Sequence, residues 1–507
     1  GYGGIVHVDP HAIDFNRQDP SIVYVGNDGG FFVGSGNGTA WEKRDLGLAI
    51  TQFIGGAMHP SSDEVLFGGT QDNGTLLSES APLFDLVLYG DGGNTAIDPQ
   101  RPEVMYTTKE TLKFYRSDDF GRTWTRMQNG MGLDRSLFYI DYAMDPSNPD
   151  ILYLGTFNLY KTTDGAKSWK QAAYCPLGSG NSCYYISSVW VAPYDGALVL
   201  AGSNGGGVTI SRDAAASFQR VPDGQLPAAW CSSVRTYRPG VLYATYSRYG
   251  VPKVWRSIDD GATWTDISGN LPDVPVNDII EVDGRLVIGT EIGTFISEND
   301  GVDWQRLGTG MPSVPVFKLR YNPRSGTLRA ITHGRGMYDM EWSTPAAAAP
   351  TFVSAPDTAA LEAGSVFTYA VVVDGSPAPA FRLLEAPSDA TVDERLGVVR
   401  WVLRGEARFT LEAWNANGSA RQVFTLRERP VSGVDWEIIQ AHPFSTPVLA
   451  MMRAGDGSLW LARDSAKVMR SVDGGSTWTE CTVPGSNAAV ASVHAFDAQR
   501  VVVGTRD

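Results

Sequence analysis

One eight-residue pattern recurs along this chain: Ser/Thr-x-Asp-x-Gly-x-Thr/Ser-Trp. Its clearest copies are Ser117–Trp124, Ser257–Trp264 and Ser471–Trp478, with looser copies at Thr162–Trp169, Ser211–Phe218 and Ser297–Trp304. Eroded versions end at Trp41 and Phe84, so the terminal aromatics from Trp41 to Trp304 are spaced by 40–49 residues. A period in the forties containing several short strands is the signature of propeller blades. Between boxes the units agree. An inner strand ends near Asp-Pro (Ala96–Pro99, Ala143–Pro146), an apolar strand follows (Ile151–Thr156, Leu286–Thr290), a third strand enters the box, and the Trp opens a fourth. These segments are short, β-branched or aromatic, and bounded by turn residues.

The box has a structural logic. Its Asp accepts backbone N–H groups in a tight turn, its Gly supplies positive φ, and its Trp packs between neighbouring sheets. Asp119, Trp124, Asp164, Trp169, Asp259, Trp264, Asp473 and Trp478 are therefore read as scaffold residues. Eight inner strands start near His11, Phe53, Asn94, Tyr139, Ser187, Ser232, Val276 and Val316. The expectation is an all-β chain with an eight-bladed propeller over 1–343; seven blades is the alternative, because no Asp box follows the eighth unit.

Residues 344–350 form a Pro/Ala-rich linker. Residues 351–428 carry no Asp box but show alternating strands such as Phe367–Val373 and Arg408–Trp414, which predict a small β-sandwich acting as a spacer or adhesion module. The box pattern returns over 434–507, the start of a second propeller. The chain begins at Gly1 and ends at Asp507 inside a repeat, which predicts a piece of a longer protein.

The motif resembles the Asp-box, or bacterial neuraminidase repeat, of sialidases, endo-xyloglucanases, sortilin-type receptors and photosystem assembly factors. Gly69–Gly74 and Gly90–Gly93 look like secreted bacterial proteins of the sortilin-like or glycosyl-hydrolase-like kind. Gly375–Pro379, Gly397–Trp401 and Asn415–Gly418 resemble bacterial surface immunoglobulin-like modules. The resemblance implies fold more than function, because these families do different things on one scaffold.

Composition removes some classes. The formal net charge is −15, which disfavours nucleic acid and anionic membrane surfaces. No apolar run reaches the ~18 residues of a spanning helix, so no membrane insertion is expected. Cys175 and Cys183 flank a Gly/Ser-rich loop; a disulfide there would suit an oxidising compartment, the alternative being two reduced thiols. A secreted or cell-surface location follows from the resemblance and from that pair. Asn37, Asn73 and Asn417 open glycosylation triplets.

In a propeller, the turns between second and third strands share one face with the sheet-to-sheet connections, and function concentrates on such loops. That face receives Asp28, Asp72 and Asp91 as candidate catalytic carboxylates. Gln71, Asn73, Asn158, Asn204, Glu291, His333 and Arg335 are candidate ligand-binding residues there. Glycoside hydrolysis needs two carboxylates across a cleft, one with a raised pKa. In the xyloglucanase family a Thr-Asp-Ile-Gly-Gly stretch carries the base; Asn27–Gly30 resembles it without the Ile. Sialidases carry an early Arg-Ile-Pro, which is absent here. His7, Asp9 and His11 alternate as i, i+2 and i+4 and would face one way on a strand, a candidate divalent-metal set; no other cofactor is expected. The leading expectation is an extracellular recognition scaffold binding a glycan or protein. The alternative is a glycoside hydrolase of the two-propeller xyloglucanase type, with sialidase behind both. Oligomeric state is left open.

Overall fold

The computed structural model describes residues 6–428 except 81–82, 133, 179–182, 343–346, 360 and 378, together with short stretches between 448 and 505. The chain divides into two compact units, Gly1–Arg429 and Pro430–Asp507. No helix occurs among the described residues.

Eight antiparallel sheets follow one another through residue 341, each a meander in chain order. Their first strands are Pro10–Phe15, Phe53–Met58, Gly92–Ile97, Tyr142–Met144, Ile186–Ala192, Cys231–Arg238, Val276–Val282 and Val316–Asn322. We number the sheets 1 to 8. Sheets 1–7 have four strands; sheet 8 has three.

Seven of these sheets form the ring. Apolar clusters join sheets 2 and 3, 3 and 4, and so on to 7 and 8. Sheet 8 then closes on sheet 2: Arg329 donates to the carbonyls of Asp63 and Val65, Asn322 to that of His59, and Gln52 pairs with His333. Sheet 1 stands outside, its first strand exposed along its whole length, with Ile13 at 65%. Of the two counts expected, these contacts favour seven blades over eight. The repeat counts sheets, whereas ring size depends on which sheets meet, and among the described residues the inner strand of sheet 1 is exposed along its flank.

Polar staples tie the inner strands together. Asn94, Ser187, Ser232 and Asn277 donate to the carbonyls of Ile140, Cys231, Val276 and Val316 in the next sheet. One position further on, Asp141, Ser188 and Asp278 accept the N–H groups of Val189, Val234 and Leu319. The Asp boxes have the expected scaffold geometry. Asp259 accepts Ser257 Oγ, Thr263 N and Thr263 Oγ1 at 2.6–2.9 Å, and Asp119 and Asp164 repeat the pattern. The Trp124 and Trp264 indoles donate to the box glycine carbonyls, and Trp169 to Met127 O.

The segment after the ring is a β-sandwich. Two three-stranded sheets enclose Phe367, Tyr369, Trp401, Phe409, Leu411 and Phe424. Its first strand, Ala348–Phe352, begins inside the stretch read as a linker. The sandwich is docked rather than a free spacer. Ala370, Leu396 and Val398 share one buried cluster with Val65, Phe67, Leu77, Met105 and Phe120 of sheets 2 and 3. Glu103 accepts the N–H of Ala370 at 3.0 Å, and Arg395 pairs with Glu64 and Arg324 with Asp374. All of these ring contacts lie on the Asp-box face, so the opposite loop face stays uncovered by the sandwich.

The C-terminal unit, taken by itself, contains a four-stranded meander, Val448–Arg453 to Thr479–Thr482, and a hairpin of Val490–Ala495 with Val501–Thr505. Asp473 there repeats the box bonds to Ser471 and Thr477; Trp478 follows it.

Candidate active site

Sheets 2 and 3 approach unusually closely at their loop ends. A Cβ on Gly69 would lie 2.1 Å from Gly93 O, and one on Gly92 2.4 Å from Gly74 O. Only glycine permits this backbone-to-backbone contact. It brings the Gln71–Asn73 turn against Asp91, whose carboxylate accepts the Asp72 N–H at 2.8 Å. Asp72 holds φ at 61°, a conformation that Asp and Asn tolerate better than most residues. The turn of sheet 1 arrives from the other side, with Asn73 Nδ2 donating to Asp28 O at 2.7 Å. The three candidate carboxylates, drawn from three consecutive sheets, do gather at one rim.

Their electrostatics are unequal. Asp72 is pushed up from 3.8 to about 6, first by burial and then by Asp91, Asp28 and Asp9. Asp28 accepts His11 Nε2–H at 2.5 Å. A carboxyl that stays protonated to near-neutral pH beside carboxylates with partners of their own is the arrangement that divides acid from base.

Two further residues belong here. Glu110 occupies in sheet 3 the turn that Asp72 occupies in sheet 2, and its N–H donates to Asp91 O at 3.0 Å. Burial opposes its ionisation, but Lys113 and Lys109 hold it below the usual carboxylate range. The Tyr139 hydroxyl is buried with no hydrogen-bond partner among the described residues, and burial, Asp91 and Asp72 raise its pKa. Neither sits in a Gly- or Asn-marked turn, which is the signal that picked out the others.

The metal expectation fails on geometry. Asp9 turns at φ 58° and the strand begins only at Pro10, so the i, i+2, i+4 alternation does not exist. His7 Nε2 lies 3.2 Å from Asp72 O, while His11 faces Asp28. Among the described residues no group of three His, Cys, Asp or Glu gathers as for a metal.

The ligand-face residues divide. Gln71 and Asn73 flank Asp72. Asn158 is buried and donates to Asp134 while accepting Cys175 N; Asn204 accepts Tyr185 N. These two tie neighbouring loop segments to their turns. Glu291 accepts Asn277 Nδ2, His333 stacks on Phe317 at 4.6 Å, and Arg335 reaches Ala49 O, so all three lie on the rim with a neighbour already in hand. Cys175 and Cys183 are disulfide-bonded. The same face carries exposed aromatics: Tyr89 (66%) and Phe138 (51%) beside the carboxylates, and Tyr174, Tyr184, Trp230 and Tyr249 across the ring. Rings presented this way suit the apolar faces of sugars.

No protein-family model matches the chain. It is 24% identical over 284 residues to a probable oligoxyloglucan-reducing end-specific xyloglucanase of Neosartorya fischeri, covering 46% of this chain and 34% of that one. It is 23% identical over 260 residues to the oligoxyloglucan-reducing end-specific xyloglucanase of Emericella nidulans, covering 41% and 32%. Among solved structures, a GH74 enzyme of Niastella koreensis aligns over 90% of this chain and 78% of its own, at 15% identity and a TM-score of 0.44. YCF48 from Cyanidioschyzon merolae aligns over 57% and 95%, at 12% identity and 0.44. The chain is thus similar in sequence to xyloglucanases over less than half of its length, and spans about a third of the curated relatives it matches.

Proposed function

We propose that this chain is the carboxylate-bearing part of an extracellular glycoside hydrolase acting on xyloglucan-derived oligosaccharides. The observation that carries the reading is the convergence of Asp28, Asp72 and Asp91 on one rim, with Asp72 pushed up to about 6. Asp72 donates its proton to the glycosidic oxygen as the leaving sugar departs. Asp28 supports the opposite side of the sugar ring, as nucleophile or as base for water. Tyr89 and Phe138 hold the neighbouring sugar units. The similarity to xyloglucanases supports the substrate class, and the disulfide suits an oxidising compartment.

Exposed Tyr174, Tyr184, Trp230 and Tyr249, remote from the carboxylates, favour a second reading in which the face recognises a glycan without cleaving it. Incubating the chain with xyloglucan oligosaccharides and measuring new reducing ends separates the two. The expected result is release. Saturable binding without release would leave the recognition reading, and neither would remove both.

A further inference from the structure

First strands from six of the seven sheets line a half-open cavity of about 300 Å³ within the ring. Apolar side chains such as Met58, Ile97 and Val191 form much of its wall. Three cations enter it: Arg235, Lys318 and Arg320. Two carboxylates oppose them, Asp141 at the wall and Asp278 just behind it.

Both carboxylates already have work in the staples between strands. Asp278 Oδ2 accepts Leu319 N, while its Oδ1 accepts Ser233 Oγ and Arg235 NH2 at 2.8 Å. Asp141 Oδ2 accepts Val189 N at 2.9 Å. Arg235 is fully engaged, lying over the Trp190 ring at 4.6 Å. Lys318 is different. Its side chain is 12% exposed, it makes no hydrogen bond among the described residues, and its nearest charge is Asp141 Oδ1 at 3.9 Å. Arg320, two residues along the same strand, lies 3.5 Å from Asp278 with one nitrogen on Leu319 O. The ammonium pairs only loosely with Asp141 and faces the cavity, and a cavity with three cations against two carboxylates favours an anion over water alone.

We propose that this cavity binds a small oxyanion, a phosphate, sulfate or carboxylate group, held by the Lys318 ammonium and the Arg320 guanidinium. Such groups accept several charge-assisted hydrogen bonds at once. The site is separate from the rim carboxylates and does not depend on hydrolysis.

Calorimetric titration of the whole chain with inorganic phosphate, at ionic strength held constant with sodium chloride, tests it. Sulfate and acetate run as parallel arms show which anion is preferred. Saturable binding of at least one is expected. Lys318→Met should weaken it about tenfold or more, from the loss of one charge-assisted hydrogen bond. Asp141→Asn, which keeps an acceptor for Val189 N, should strengthen it. Because the two variants move in opposite directions, a general loss of structure cannot imitate the pattern. No saturable binding of any of the three anions, or equal affinity in all three proteins, would overturn the proposal.

Discussion

Asp72→Asn is expected to lower the rate of reducing-end release by about 10²–10⁴-fold, the usual contribution of a positioned general acid. The amide is nearly the same size and tolerates the φ of 61° at this turn, so the turn, the Asp91 contact and substrate affinity should survive. Loss should therefore fall on kcat and leave KM close to the wild-type value. The wild-type profile should decline on its alkaline side near pH 6, where Asp72 gives up its proton. A control is Asp259→Asn, in an Asp box on the opposite face. It should lower stability and leave the rate unchanged. If Asp72→Asn keeps wild-type kcat, the acid is another group.

Arg329→Met should cost about 2–4 kcal/mol of unfolding free energy, because it strands two carbonyls at the closure and removes the buried half of an ion pair whose carboxylate is itself 38% exposed. Arg329 is completely buried. It makes a two-pronged pair with Asp339 at 2.7 Å and donates to the carbonyls of Asp63 and Val65 across the closure between sheets 8 and 2. Asp63 reciprocates, accepting Ser325, Thr327 and Asn322 from sheet 8. Sheet 8 has only three strands, so this polar clasp does much of the closing. Methionine fills most of the volume but leaves Asp339 and two carbonyls without their partner. The comparison is Arg395→Ala, at an exposed pair with Glu64, which should cost under about 1 kcal/mol. Equal midpoints for the two variants in urea would mean that closure is apolar, through Ile331 and Met337 against Gly56.

The Asp boxes made the sheets legible, because each box carries its own turn chemistry and its own aromatic anchor. Strand alternation then placed Asp28, Asp72 and Asp91 on one face. Ring size was not legible. It depends on the long-range clasp of Arg329 with Asp63 and Val65, which has no local motif. The metal set failed because one residue, Asp9, leaves the extended conformation. Asn158 and Asn204 look identical in sequence to Asn73, yet their amides are taken up by the backbone of other segments, at Cys175 and Tyr185. Docking of the sandwich had a trace in the unbroken buried run Ala370–Val373, where a one-sided strand would alternate.

Native contacts keep Asp72 protonated well above its ordinary range. Unfolding midpoints of wild type and Asp72→Asn, measured from pH 4 to pH 8, test it without substrate. The native pKa of about 6 exceeds the unfolded 3.8. Ionisation therefore begins to penalise the wild-type fold above pH 3.8, and the penalty is complete above pH 6. The asparagine variant never ionises. The difference near pH 4, where the penalty has only begun, is mostly the baseline of the substitution itself, and the expected result is that Asp72→Asn gains stability relative to wild type between pH 4 and pH 6 and keeps that gain to pH 8. A difference that stays constant across the range would mean that Asp72 titrates as an ordinary carboxylate, and would contradict its assignment as the proton donor.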